Sequence, residues 1–272
     1  MKKLLSICTT LLALVLVLTA CSSKTETKKE EKKENATIKV ASHTAPMMDM
    51  LEMIKDDLKK EGIELKVVQY TDYILPNKAL ADKSINANFF QHAPYMEDFG
   101  KKNNIEMVGV GNIHLEPMAL YSKKIKNIND LKSGDTLIIP NDPTNGGRAL
   151  ILLDKAGIIK LKDNKNLAAT TADIAQNPKN LKIITMSNEQ IAPRLGEVAG
   201  AIINSNFAID AGITKNEIIL IEGKDSPYVN IVTVLKGNEN DERVKKLVKA
   251  LQSEKVKKYI EEKYEGRVIP AF

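Results

Sequence analysis

The run Asn141-Asp142-Pro143-Thr144-Asn145-Gly146-Gly147-Arg148 follows a strand-like stretch and opens a helix-like one. It holds the pieces of an anion site. Exposed N–H groups at a helix start favour an anion, glycines let backbone approach a ligand closely, and Arg148 offers a planar fork suited to a carboxylate. A polar turn bearing a surface arginine would read the same, and spacing alone does not separate the two. The Gly-Lys-Ser/Thr ending of a Walker loop is missing. A second cluster, Asn86-Ala87-Asn88-Phe89-Phe90-Gln91-His92-Ala93-Pro94-Tyr95, packs rings and amides at a strand end. Phe89 and Phe90 alternate, so one faces a core and the other is a candidate for a cleft, although on the residues alone core is the better reading for either. Sulfur–aromatic contacts contribute roughly 0.3–1.5 kcal/mol each, so a thioether would suit such a wall.

The chain has three histidines, His43, His92 and His114. With Glu116 as a fourth ligand they would make a zinc site, although no tight spacing such as HxxxH on one helix joins them. As an alternative they are hydrogen-bonding wall residues. Catalysis finds no motif: there is no GxSxG elbow and no HExxH. Carboxylate pairs such as Asp56-Asp57 fall on the polar side of a helix.

The elements that must position these groups alternate between strand and helix periods. Thr37–Ala41 reads as a strand. Met47, Met50, Leu51, Ile54 and Leu58 follow helical spacing, with Pro46 near the first turn. Glu64–Gln69, Asn86–Phe90 and Glu106–Gly111 read as further strands, with a helix between the last two. A second set begins at Met118–Ser122 and runs through strands at Asp135–Pro140, Leu181–Met186, Gly200–Asn204 and Glu217–Ile221, with a helix over Gly147–Lys155. Asn230–Leu235 is a strong strand, and the tail beyond it is helical. Such alternation predicts α/β lobes with largely parallel sheets. The tail lacks a sheet of its own and is expected to return to the first lobe. The chain then crosses twice, near Glu116–Leu120 and Tyr228–Val234, giving lobe 1 as 37–116 plus 230–272 and lobe 2 as 117–229. A cleft between two such lobes is a natural ligand site. No internal repeat is visible.

Lys2 and Lys3 precede an apolar run, Leu4 to Leu18, then Thr19, Ala20 and Cys21. That is the pattern of an export signal, too short for a span of roughly 20 apolar residues. Leu18-Thr19-Ala20-Cys21 resembles the lipobox of bacterial lipoproteins. The resemblance implies cleavage after residue 20 and a lipid on Cys21, each buried methylene adding about 0.8 kcal/mol of membrane affinity. The other cysteine, Cys8, leaves with the signal, so no disulfide and no cysteine–metal chemistry is expected. Residues 22–35 (SSKTETKKEEKKEN) contain no apolar side chain and are expected to form a solvated tether, 21–36 in all. The interleaved Glu residues argue against the alternative of a basic membrane-binding patch. The formal charge of +5 falls by the two N-terminal lysines on cleavage. What remains is too weakly basic for a nucleic-acid binder, and no Lys/Arg stripe with interleaved aromatics appears.

Several stretches together resemble the NlpA/MetQ family of methionine-binding lipoproteins. They are Tyr70–Tyr73 with Leu75–Leu80, Asn86–Tyr95, His114–Ser122, Asn141–Leu150, Asn177–Lys182, Ala201–Asn204 and Ser226–Asn230, in order along nearly the whole mature chain. The resemblance implies a two-lobed periplasmic-binding-protein type II fold and no enzymatic activity. It implies a monomer that needs no cofactor. Held outside the plasma membrane by its lipid, the protein would capture L-methionine and pass it to the permease and ATPase of an ABC importer. Carried over by motif, Arg148 would grip the ligand carboxylate, and Asn204 and Asn230 would hydrogen-bond its amino and carboxyl groups. Tyr73, Phe90, His92, Tyr95 and His114 would wall the side chain. The chain departs from the family at Ser42-His43-Thr44-Ala45-Pro46-Met47, where many members carry a His, and at Phe207, where a Tyr is common. Another amino acid or a methionine-containing dipeptide therefore stays open as ligand, with zinc as the alternative of another class.

Overall fold

The computed structural model describes residues 36–272, so the expected signal, Cys21 and the tether up to residue 35 lie outside the described residues. Ala36, read as the end of the tether, instead opens the first strand. In chain order come β1 (Ala36–Ser42), α1 (Met47–Lys60), β2 (Ile63–Gln69), α2 (Leu75–Ala81), β3 (Ala87–His92), α3 (Ala93–Asn103), β4 (Met107–Leu115) and β5 (Ala119–Tyr121). They continue with β6 (Thr136–Pro140), α4 (Pro143–Lys155), β7 (Lys160–Leu161), β8 (Ile174–Gln176), β9 (Lys182–Met186), α5 (Asn188–Ile191), β10 (Gly200–Ile203), α6 (Ser205–Asp210) and β11 (Ile218–Ile221). The last are β12 (Val229–Leu235), α7 (Glu242–Leu251), α8 (Glu254–Tyr264) and β13 (Ile269–Pro270).

One sheet runs β13-β4-β12-β3-β1-β2 and the other β11-β5-β10-β6-β9. The chain passes between them twice, from β4 to β5 and from β11 to β12. In each sheet a first strand sits beside a second and a third, and one antiparallel strand arriving from the other side of a crossing separates the third from the fourth. That strand is β12 in one sheet and β5 in the other. The two sheets thus share a strand order that no residue pattern disclosed.

Burial follows the periodicities. Met47, Met50, Leu51, Ile54 and Leu58 of α1 are all buried, packed with Ile38, Val40, Phe89, Val232 and Val234 of the first sheet. Burying such a side chain contributes about 1.5–3 kcal/mol. The C-terminal tail completes this core through Val244, Leu247, Leu251, Val256 and Ile260. It also returns β13 to the edge of β4, a strand absent from the sequence reading. In β6 the alternation is plain: Leu137 and Ile139 face the α4 side with Leu150 and Leu153, whereas Ile138 faces the opposite side with Ile191, Ile203 and Phe207. Among the described residues no helix is long and apolar enough to cross a membrane.

Three local readings change. Helix α4 starts at Pro143, not Gly147, with Asp142 as its N-cap accepting from Asn145 N–H. A proline at a first helical position is already set to the helical φ. The supposed ligand loop is therefore helix, and its glycines serve packing: a Cβ on Gly147 would stand 2.2 Å from Leu167 O, and one on Gly146 2.9 Å from Pro140 O. Helix α2 was missed because Leu75-Pro-Asn-Lys-Ala-Leu-Ala is short and weakly periodic. It presents Asn77 to a buried amide triad, in which Asn77 and Gln91 exchange bonds of 2.8 and 2.7 Å and Asn88 donates to Asn77 at 2.8 Å. Strand β4 runs on to Leu115, because β12 and β13 both pair with its end, so His114 lies within a strand.

Candidate functional site

A narrow cavity opens between the two sheets. Tyr73, Phe90, His92, Tyr95, Arg148, Asn204 and Asn230 all line it, joined by Gln91, Glu116, Asn145 and Asn206. His114 does not. It is fully buried behind the wall, edge-on to Phe89 at 5.4 Å, and its Nε2 meets a Glu116 carboxylate oxygen at 2.8 Å. Its place is to hold Glu116, which does reach the cavity.

The polar end is built at the crossings. Arg148 is buried one turn into α4, and its Nε donates to both Glu222 carboxylate oxygens at 3.1 Å. Nη2 donates to the same carboxylate and, at 2.8 Å, to Glu116 O. The Tyr228 ring covers the guanidinium, 4.4 Å from its carbon. These contacts leave Nη1 uncommitted. They also correct the idea of an anion held at a helix start: the Asp142 carboxylate already caps α4.

A relay of amides joins the sheets beside Arg148. His92 caps α3, its Nδ1 accepting from Tyr95 N–H at 3.2 Å, so Nε2 carries the proton and donates to Asn145 Oδ1 at 3.2 Å. Asn204 donates to the same oxygen at 2.9 Å, while Asn145 donates to Asp142 at 3.1 Å. These bonds fix the Asn204 amide, and its Oδ1 is buried with no hydrogen-bond partner among the described residues. Buried polar atoms are ordinarily satisfied, and an orphan beside a cavity marks where a donor belongs.

The apolar end is aromatic. Tyr73 lies 5.8 Å from both Phe90 and Tyr95 between ring centroids. Phe90 is the cavity-facing member of its pair and Phe89 is core. Tyr73 donates to Asn206 Oδ1 at 2.7 Å, and Asn206 donates to His43 Nδ1 at 3.1 Å, a tie between the two sheets that no residue pattern signals. The His43 and Phe207 rings also meet here, 4.7 Å apart.

A family model described as NlpA lipoprotein matches residues 38–272. The chain belongs to this family. A Salmonella typhi protein named D-methionine-binding lipoprotein MetQ is 42% identical over 231 residues, 84% of this chain and 85% of its own. A Burkholderia cenocepacia nutrient-binding protein, solved bound to methionine, superimposes with a TM-score of 0.83 at 38% identity, covering 86% of this chain and all of the other. An ABC transporter periplasmic substrate-binding protein from Coxiella burnetii gives 0.82 at 40% identity over 86% of this chain and all of its own. This NlpA lipoprotein has the two-lobed type II periplasmic-binding-protein fold.

In this NlpA lipoprotein the three histidines have separate tasks. Among the described residues no three His, Cys, Asp or Glu side chains gather as a metal site would require. The zinc alternative has no cluster there to rest on.

Burial and the nearby Arg148 charge push His92 down to about 3, and burial lowers His43 as well. Free His92 titrates near 6.5. Between those values the unfolded chain holds the extra proton, so stability is full above about pH 6.5 and falls as pH drops, by up to ~1.4 kcal/mol per pH unit for this group. Urea midpoints measured from neutral pH down to about pH 5, where carboxylates stay ionised, should decline accordingly. A flat profile would contradict a neutral, buried His92.

Proposed function

We propose that this protein is the substrate-binding lipoprotein of an ABC importer and that methionine is its cargo. The observation that carries the reading is one small cavity with a free guanidinium nitrogen and an unpartnered amide oxygen at one end and three aromatic rings at the other. The ligand carboxylate meets Arg148 and the Asn230 amide. Its ammonium meets Asn204 Oδ1 and the Glu116 carboxylate. The thioether lies among Tyr73, Phe90 and Tyr95, with His92 as side wall; His114 acts through Glu116. No bond in the ligand is made or broken.

The same reading divides the mature chain into lobe 1 (37–116 plus 230–272) and lobe 2 (117–229), closing on the ligand because only the closed state brings both sets of groups to it. Cys21 carries the lipid, and a monomer on the outer face of the plasma membrane hands methionine to the permease and ATPase. The names and bound methionine of the relatives support this assignment.

A thermal-shift screen of L- and D-methionine, other amino acids, methionine dipeptides and zinc tests it. Ligand at 100 times its Kd stabilises the fold by about 2.7 kcal/mol, which for a chain of this size raises Tm by roughly 5–10 °C. Methionine is expected to give that shift. No response to methionine, with a shift by another amino acid or by zinc alone, overturns the assignment.

A further inference from the structure

Glu222 lies in neither conspicuous motif, yet it holds the guanidinium on which the cavity turns. Its carboxylate takes the Nε edge of Arg148 and one Nη2 proton. The same carboxylate accepts from Met118 N–H at 3.1 Å, and Glu222 N–H donates to Met118 O at 2.9 Å. Met118 belongs to the first passage between the sheets and Glu222 to the second. Arg148 adds its own bond to Glu116 O in the first passage and lies against Tyr228 in the second. The side chain of Glu222 is only 11% exposed, so water does not compete strongly for these bonds.

We propose that Glu222 is a positioning residue: it grips Arg148 from behind and ties it to both crossings, so that the Nη1 side faces the cavity before any ligand arrives. Placing a donor in advance removes the ordering cost from the binding step. Because Glu222 spans both crossings, the same contacts make the guanidinium part of the hinge. The inference rests on the carboxylate-binding role of Arg148 proposed above.

Charge and position predict opposite signs, which makes the test sharp. Removing a negative charge beside Arg148 strengthens its attraction for a ligand carboxylate. Losing the grip frees the fork and weakens binding, by about tenfold to a hundredfold if it resembles other outer-shell supports. Glu222→Gln keeps the shape but turns an NH2 group toward donors. Methionine titrated calorimetrically should bind this variant at least about tenfold more weakly than wild type. Equal or tighter binding overturns the inference.

A second readout needs no ligand. The Arg148 Nε–H resonance, assigned by its loss in Arg148→Lys, should exchange slowly with water in free wild type and fast in Glu222→Gln. Fast exchange in free wild type, or the same rate in both, overturns the proposal, and the wild-type rate decides even if the variant does not fold. Wild type that fails to bind methionine refutes the functional assignment, while this resonance still judges the positioning claim.

Discussion

Replacing Arg148 with alanine is expected to reduce methionine affinity by roughly 30-fold to several-thousand-fold, the equivalent of about 2–5 kcal/mol for truncating one partner of a buried charge pair. The loss has two sources. The ligand carboxylate would lose its cation in a cavity where water cannot replace it. The Glu222 and Glu116 carboxylates would also remain near the site without Arg148, so the field there would turn repulsive toward an anion. Stability should fall as well, because an acid left without its buried partner is costly. Circular dichroism of the variant beneath its melting range separates the two effects: folded protein with near-normal methionine affinity would remove Arg148 from the site.

Gly147→Ala should destabilise the protein and leave methionine binding close to normal at temperatures where the variant is folded. Alanine ordinarily improves a helix interior over glycine by about 1 kcal/mol. Here the new Cβ would stand 2.2 Å from Leu167 O and 2.8 Å from its carbonyl carbon. The obstacle is backbone, which cannot swing aside, so overpacking of about 1–3 kcal/mol should outweigh the helix gain. A net loss of up to about 2 kcal/mol lowers Tm by up to roughly 4–8 °C for a chain of this size. If the glycine instead made room for a ligand, the melting curve would rise and affinity would fall, the reverse pattern.

That second experiment concerns the point at which residue reading went furthest astray. The glycines beside Arg148 looked like ligand-facing loop because glycine, asparagine and proline mark turns and also occur at helix starts. Only the neighbouring chain at Leu167, twenty positions beyond Gly147, discloses the packing task of that glycine. Arg148 stood out from its place at a strand-to-helix turn, where α/β folds gather ligands, whereas Phe90, His92 and Tyr95 were placed at the cavity wall through the family resemblance. Glu222 was not. It stands 74 residues from Arg148 and in an undistinguished Ile-Glu-Gly-Lys stretch, and only the return of the chain across the sheets brings the pair together. Asn206 was missed for the same reason: its bonds to Tyr73 and His43 exist only once the lobes meet. The helical tail was assigned to the first lobe from its lack of strands, and its apolar face packs there. The shared strand order of the two sheets was invisible because it lies in connectivity, which side-chain patterns do not encode.

The buried members of the apolar clusters around the second sheet all fall between Met118 and Ile213, whereas those of the cluster under the first sheet run from Ile38 to Val268. A ribosome or a secretion channel delivers the chain with its low-numbered end leading. The half that emerges in the middle can therefore settle while the stretch ahead of it still waits for its closing helices. The part made first is finished last, and until almost the final residue is released it keeps an unsealed greasy surface that chaperones would have to shield.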